Sequence, residues 1–207
     1  MFSPAIMAVI STRIIVAGGS PVSDSWDTAS SGDDVGRNGS EDAWATDRVQ
    51  LKLGIYASVQ GRSVIRFPNV TIPANSTVSA ASITAKAIGA SSSGENGFIV
   101  YGLEGDTAQS ELDTEAEVNS LTRTAASVTV AERDASAYTL GQTITLVADS
   151  ADFRAVVQEI LNTSWTSGYA MAFDIVGNGT NVTHTLNIAT FDQDSYTMTL
   201  SVTYTAP

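Results

Sequence analysis

The chain has 207 residues, 43% of them hydrophobic and 15% charged, with no cysteine and a formal net charge of −12. That length supports one domain with a full apolar core, while the missing thiols exclude disulfides, thiolate chemistry and cysteine-ligated zinc. Phosphate backbones and anionic lipid surfaces are bound by basic faces, so neither nucleic acid nor a membrane is an expected partner.

Residues 1–20 read MFSPAIMAVISTRIIVAGGS. No basic residue precedes the apolar run and Arg13 interrupts it, which is not the pattern of a secretion signal. The run is also too short to span a bilayer. The expectation is an apolar arm or first strand, with Ile14, Ile15 and Val16 docked against the body or a neighbouring subunit. Gly18-Gly19-Ser20-Pro21 then separates this arm from one domain over 21–207. Residues 22–47, rich in Asp, Ser and Gly, read as a long polar loop holding at most one short strand.

Strand signals follow in close succession. RVQLKLGIY sets Val49, Leu51, Leu53 and Ile55 on one face at period two, and SVIRF ends at Pro68. ASITAKAIG alternates Ile83, Ala85 and Ala87, and GFIVYGLEG, SVTVAE and QTITLVA come after it. Residues 106–123 read as an acidic loop with one helical turn. In SADFRAVVQEILN, residues 150–162, Phe153, Val156, Val157, Ile160 and Leu161 share one helical stripe, with Ser150 or Asp149 as the cap. YAMAFDIVG, THTLNIATF and YTMTLSVTY complete the chain. About eight or nine strands with one short helix in the C-terminal third predict an all-β antiparallel sandwich. Serine and threonine, about a quarter of the residues, suit such half-buried pleated surfaces.

Few residues carry chemistry. His184 is the one histidine, and a triad or histidine-rich metal site needs partners that the sequence lacks. Glu104, Asp106, Glu111, Asp113, Glu115 and Glu117 could supply the paired carboxylates of a glycosidase, but such an enzyme needs an aromatic-lined cleft and aromatics are only 7%. The default for these acids is a solvated loop, and no catalytic residue is expected. The acidic stretch between Asp24 and Asp47 reads first as a solvated loop; the alternative is a structural Ca²⁺, with Asp33, Asp34 and Asp42 as candidate ligands, although its spacing is not that of an EF-hand. Buried packing is the default for Trp26 and Trp44 in the polar loop; the alternative is that they, with Tyr101, stack on a glycan or a partner. Trp165 reads as helix-to-strand packing.

Two blocks together resemble a known family: VIRFPNVTIPANSTVSAASITAKA at 64–87 and VVQEILNTSWTSGYAMAFDIVGNG at 156–179. They are similar to the jelly-roll modules of the DNRLRE and carbohydrate-binding type, found in bacterial surface proteins and bacteriophage virion proteins. Arg66-Phe67, Ile72-Pro73, Val157-Gln158-Glu159-Ile160, Trp165 and Ser167-Gly168 carry the resemblance, and Asp33-Asp34 is similar to the family's early acidic pair. Asn75-Ser76 stands where the family commonly has Gly-Ala. The resemblance implies a jelly roll with a binding or structural role, and no single ligand.

The leading expectation is therefore a non-enzymatic virion protein of a tailed bacteriophage, a capsid decoration or fibre component. It would dock through its N-terminal arm and a sheet edge on other virion subunits, and a homo-oligomer is the expected state. The alternative is a carbohydrate-binding module at an extracellular or cell surface, or one engaging cell-surface glycans from the virion.

Overall fold

A computed structural model describes residues 19–37, 44–46, 50–56, 59–90, 95–104, 111–112, 114–134, 138–178, 184–193 and 196–207. Its strands are β1 (Val22–Asp27), β2 (Asp34–Arg37), β3 (Gln50–Tyr56), β4 (Val59–Gln60), β5 (Arg62–Phe67), β6 (Thr77–Ala90), β7 (Glu95–Leu103), β8 (Arg123–Asp134), β9 (Thr143–Val147), β10 (Met171–Asn178), β11 (His184–Ala189) and β12 (Thr199–Thr205). Two helices interrupt them, α1 (Glu115–Ser120) and α2 (Ala151–Asn162), with a single 3-10 turn at Ser31–Asp33.

The strands form two antiparallel sheets. One runs β1-β12-β6-β11-β3-β4, with β9 on the opposite edge of β6, and the other runs β2-β5-β10-β7-β8. β11 and β12 lie end to end along one edge of β6, pairing with 87–90 and 77–84 respectively. The orders β3-β11-β6-β9 and β5-β10-β7-β8 are those of a jelly roll, two Greek keys wound across a sandwich. The expected all-β sandwich is thus the fold.

Period-two alternation builds its core. Leu51, Leu53, Ile83, Ala85, Leu186, Ile188, Leu200 and Val202 face Ile65, Phe67, Phe98, Val100, Phe173 and Ile175 across the two inner surfaces, all buried. Phe173 sits at the centre, tilted against Phe153 at 5.4 Å and edge-on to Phe67 at 6.1 Å.

The predicted helix is α2, and all five stripe residues are buried. Ser150 caps it by accepting the Phe153 N–H at 3.1 Å. Its polar face is as specific as its apolar one. Gln158 accepts the Val78 N–H and donates to the Ser76 carbonyl, both at 2.9 Å. The Glu159 carboxylate accepts the Ala125 and Ala126 N–H groups at 2.7 and 2.8 Å. The helix therefore straps β6 of one sheet to β8 of the other. Glu159→Ala leaves two backbone donors of β8 without that acceptor, and a loss of about 1–3 kcal/mol is expected from urea unfolding, with Glu159→Gln losing less.

Two parts of the chain differ from the sequence reading. Within 22–47 stand β1 and β2, where a polar loop with at most one strand was expected. β1 is held by backbone pairing to β12 from Val22↔Tyr204 to Asp27↔Thr199, so an edge strand exposed on nearly all its residues carries no apolar alternation. The acidic stretch 106–123 contains the expected helical turn as α1, opened by a Thr114–Glu117 capping box. α1 helps to build a second apolar cluster on the outer face of the five-stranded sheet, from Val35, Val64, Leu103, Leu112, Val118 and Ala172 with Trp44 and Leu121 against it.

Candidate functional site

On the outer face of the five-stranded sheet, Val35, Val64, Asp174, Tyr101 and Ser127 stand side by side in register. Asp174 is fully buried. A lone carboxylate there requires compensating cations, and two arrive, one from the adjacent β5 and one from β8 beyond β7. Arg62 bonds it through Nε at 3.0 Å and Nη2 at 2.6 Å, and Arg123 through Nε at 2.8 Å and Nη2 at 2.6 Å. Arg123 also lies over the Tyr101 ring, 4.7 Å from its centroid. Arg62 reaches on to Asn119, and Arg37 pairs with Glu115 at 3.2 Å. These contacts tie α1 to the sheet. The cluster fastens a surface excursion and leaves Tyr101 as its half-buried aromatic margin.

A second charged group sits where the chain crosses between the sheets. Asp33 pairs through Oδ1 with Arg66, and its Oδ2 accepts the Ala29 and Ser30 N–H groups at 2.9 and 3.1 Å. Asp34 stands opposite Ile65, so its carboxyl is turned between the sheets. Its Oδ2 accepts the Phe191 N–H at 2.7 Å, and its buried Oδ1 has no hydrogen-bond partner among the described residues. Burial pushes the Asp34 carboxyl up to about 8; Asp192 and Asp33 add to the rise, and the Phe191 N–H opposes it. Ser31 ties the same junction by donating to Asp192 at 2.7 Å.

Of the three candidate Ca²⁺ ligands, the two described ones have different surroundings. Asp33 faces a guanidinium and two amides, Asp34 is enclosed, and Asp42 lies outside the described residues. Among the described residues, no three acidic or histidine side chains gather to hold a metal ion.

Trp26 is a strand residue of β1, half-buried against the main core. Trp44 is half-buried on the second cluster, its indole N–H 3.5 Å from the Leu112 carbonyl oxygen. Trp44 and Tyr101 share the outer face of the five-stranded sheet, and Trp26 belongs to the other sheet. Trp165 is buried as expected, donating to the Ile72 carbonyl at 2.9 Å. Of the loop acids, Glu111 accepts from Ser30, Glu115 pairs with Arg37 and Glu117 caps α1. Asp106, Asp113, the arm residues Ile14, Ile15 and Val16, and the His184 side chain lie outside the described residues.

Sequence reading missed the Arg62–Asp174–Arg123 cluster. One signal was available: Asp174 is the sole charge in YAMAFDIVG, and a charge inside an apolar strand demands partners. Between the β8 and β9 edges lies a shallow hollow of about 180 Å³, lined by Val128, Thr129, Val130, Ala131, Val147, Ala148 and Ser150. It is smaller than the ~300–1,000 Å³ of small-molecule sites and has no ionisable lining. No protein-family model matches the chain, and no curated protein matches its sequence.

Proposed function

We propose that this chain is a non-enzymatic structural module on the virion surface of a tailed bacteriophage, a capsid decoration or fibre component. One observation carries the reading: the charged clusters of the described body are bonded inward, to hold a strap, an excursion and a crossover in place. Asp174, Asp33 and Glu159 each face cations or backbone amides of their own fold. The described surface is also poor in adhesive apolar groups, with Val22 and Leu140 as its exposed large hydrophobics. Apolar material for docking is instead concentrated in residues 1–17. Burial of that segment on a neighbouring subunit contributes about 25 cal/mol per Å², and repetition over a lattice multiplies weak single contacts. Deleting residues 1–17 is expected to leave a folded sandwich that no longer co-sediments with purified particles. Continued co-sedimentation of the truncated protein would refute docking through the arm.

A second reading, a carbohydrate-binding module, is favoured by Tyr101. Its half-buried ring stands on an outer sheet face with the Arg123 guanidinium stacked over it, so a sugar would meet the ring edge and hydroxyl beside a charged donor. Glycan-array binding lost in Tyr101→Ala, with an unchanged melting temperature, would select this reading over the first.

A further inference from the structure

We infer that residues 10–16 of one copy add as a strand to the open β8 edge of a second copy, so that the arm joins subunits by exchanging a strand. The inference rests on the arm-docking reading above and names its acceptor. A sheet edge is a row of unpaired backbone groups that proteins usually guard. β1 carries Asp24 and Asp27, β4 has two residues, and β2 ends at Arg37 with Gly36 bridged to Ala45. β8 is different. It pairs with β7 and ends its sheet, so no strand lies along its outer side among the described residues. From Thr124 to Ala131 it reads TAASVTVA, without a charge, and the Glu159 carboxylate covers it at the Ala125 and Ala126 N–H groups.

The edge across from it is equally bare. β9, TITLV, pairs with β6 and is uncharged. In the hollow between the two edges Val128, Val130 and Val147 are buried, while Thr129, Ala131 and Ala148 are exposed at its rim. An occupant must offer backbone N–H and C=O groups to β8, branched apolar side chains to the hollow and alternate side chains to solvent. Residues 10–16, ISTRIIV, have that order: Ile10, Thr12, Ile14 and Val16 alternate with Ser11, Arg13 and Ile15, and most are β-branched. The single charge of this segment, Arg13, is opposite in sign to the net charge of −12.

A second copy supplies the strand because its own chain is too short to deliver it. Val22 opens β1, and β12 and β6 stand between β1 and β9 in that sheet. Three strand spacings make about 14 Å, and the step to the other sheet adds about 10 Å. The route runs around the body, so the two lengths add. The six steps from Val16 to Val22 span at most about 21 Å when fully extended.

The test mixes two full-length chains with one introduced cysteine each, since the chain has none of its own. One carries Arg13→Cys or Ile15→Cys in the arm. The other, enlarged by a tag, carries Thr129→Cys at the β8 edge or, as a control, Ser25→Cys at the β1 edge. With oxidised glutathione, the mixed disulfide dimer is expected with Thr129→Cys and lost with Ser25→Cys. One of two neighbouring N–H groups in a strand faces its partner, so the more damaging of Ile14→Pro and Ile15→Pro should weaken self-association in sedimentation about tenfold. Equal trapping at Ser25→Cys, or self-association that neither proline weakens, would overturn the exchange. Both measurements use purified protein and are read apart from the particle test. A chain that exchanges strands but never binds particles overturns the virion reading alone. A monomer whose arm is still needed on particles overturns strand exchange alone.

Discussion

Asp174→Ala is expected to destabilise the sandwich by about 3 kcal/mol, the low end of the cost of leaving a buried charge without its partner, because Arg62 is buried while Arg123, 38% exposed, reaches water. The carboxylate is fully buried, and the Arg62 side chain bonded to it is only 12% exposed. Removing it leaves Arg62 and Arg123 facing each other across the vacated position on a sheet face partly covered by α1. Against a total stability of about 5–15 kcal/mol, such a loss brings the domain near its limit. Urea unfolding measures it directly. The triple variant Asp174→Leu, Arg62→Met, Arg123→Met removes all three charges together, and should recover most of what Asp174→Ala loses, because apolar side chains of similar volume replace buried ion pairs at little net cost. A loss below about 1 kcal/mol in Asp174→Ala would mean that water reaches the cluster and screens it as at an exposed pair. α1 should respond as well: amides of 115–120 are expected to exchange faster in Asp174→Ala, since Arg62 links the carboxylate to Asn119.

What could be read beforehand follows from which forces leave a periodic mark. The strand QLKLGIY and the helix ADFRAVVQEILN bury one face each, so period two and period 3.6 exposed them. β1, VSDSWD, was hidden because a backbone ladder to β12 holds it, and a ladder leaves no trace in side-chain type. Ionic partners were hidden for a different reason. Arg62 and Asp174 are 112 positions apart, and only the pairing of β5 with β10 brings them together. Asp33 and Asp34 show the limit most clearly. They are adjacent in sequence and acidic alike, which suggested a shared cation, yet the 3-10 turn ending between them sends one carboxyl to Arg66 and the other between the sheets. The motif Gln158-Glu159 was legible as part of a resemblance, and its physical role as a strap between β6 and β8 became visible only with the fold.

Gly177→Ala is expected to be among the most damaging single substitutions, with a loss of about 3 kcal/mol, at the upper end of ordinary overpacking. Three glycines meet where the sheets converge. Gly61 donates to the Gly54 carbonyl and Gly177 donates to the Gly61 carbonyl, each at 2.9 Å. A Cβ on Gly177 would lie 2.0 Å from the Gly54 oxygen and 2.7 Å from its carbonyl carbon. Both are backbone atoms, and Gly54 is held at φ 115°, a conformation open mainly to glycine. Relief therefore requires β10 to withdraw from β3, breaking the hydrogen bonds that join this corner. Gly102→Ala offers the comparison. Its Cβ would meet Ile160 at Cδ1 (2.7 Å) and Cγ1 (2.8 Å) and the Thr124 methyl at 2.9 Å, all side-chain atoms and none of them backbone. Ile160→Val, which removes that terminal methyl, should restore part of the stability lost by Gly102→Ala and none of that lost by Gly177→Ala. Equal rescue of both in chemical unfolding would show that the corner relaxes by side-chain movement and that the sheets are not in backbone contact there.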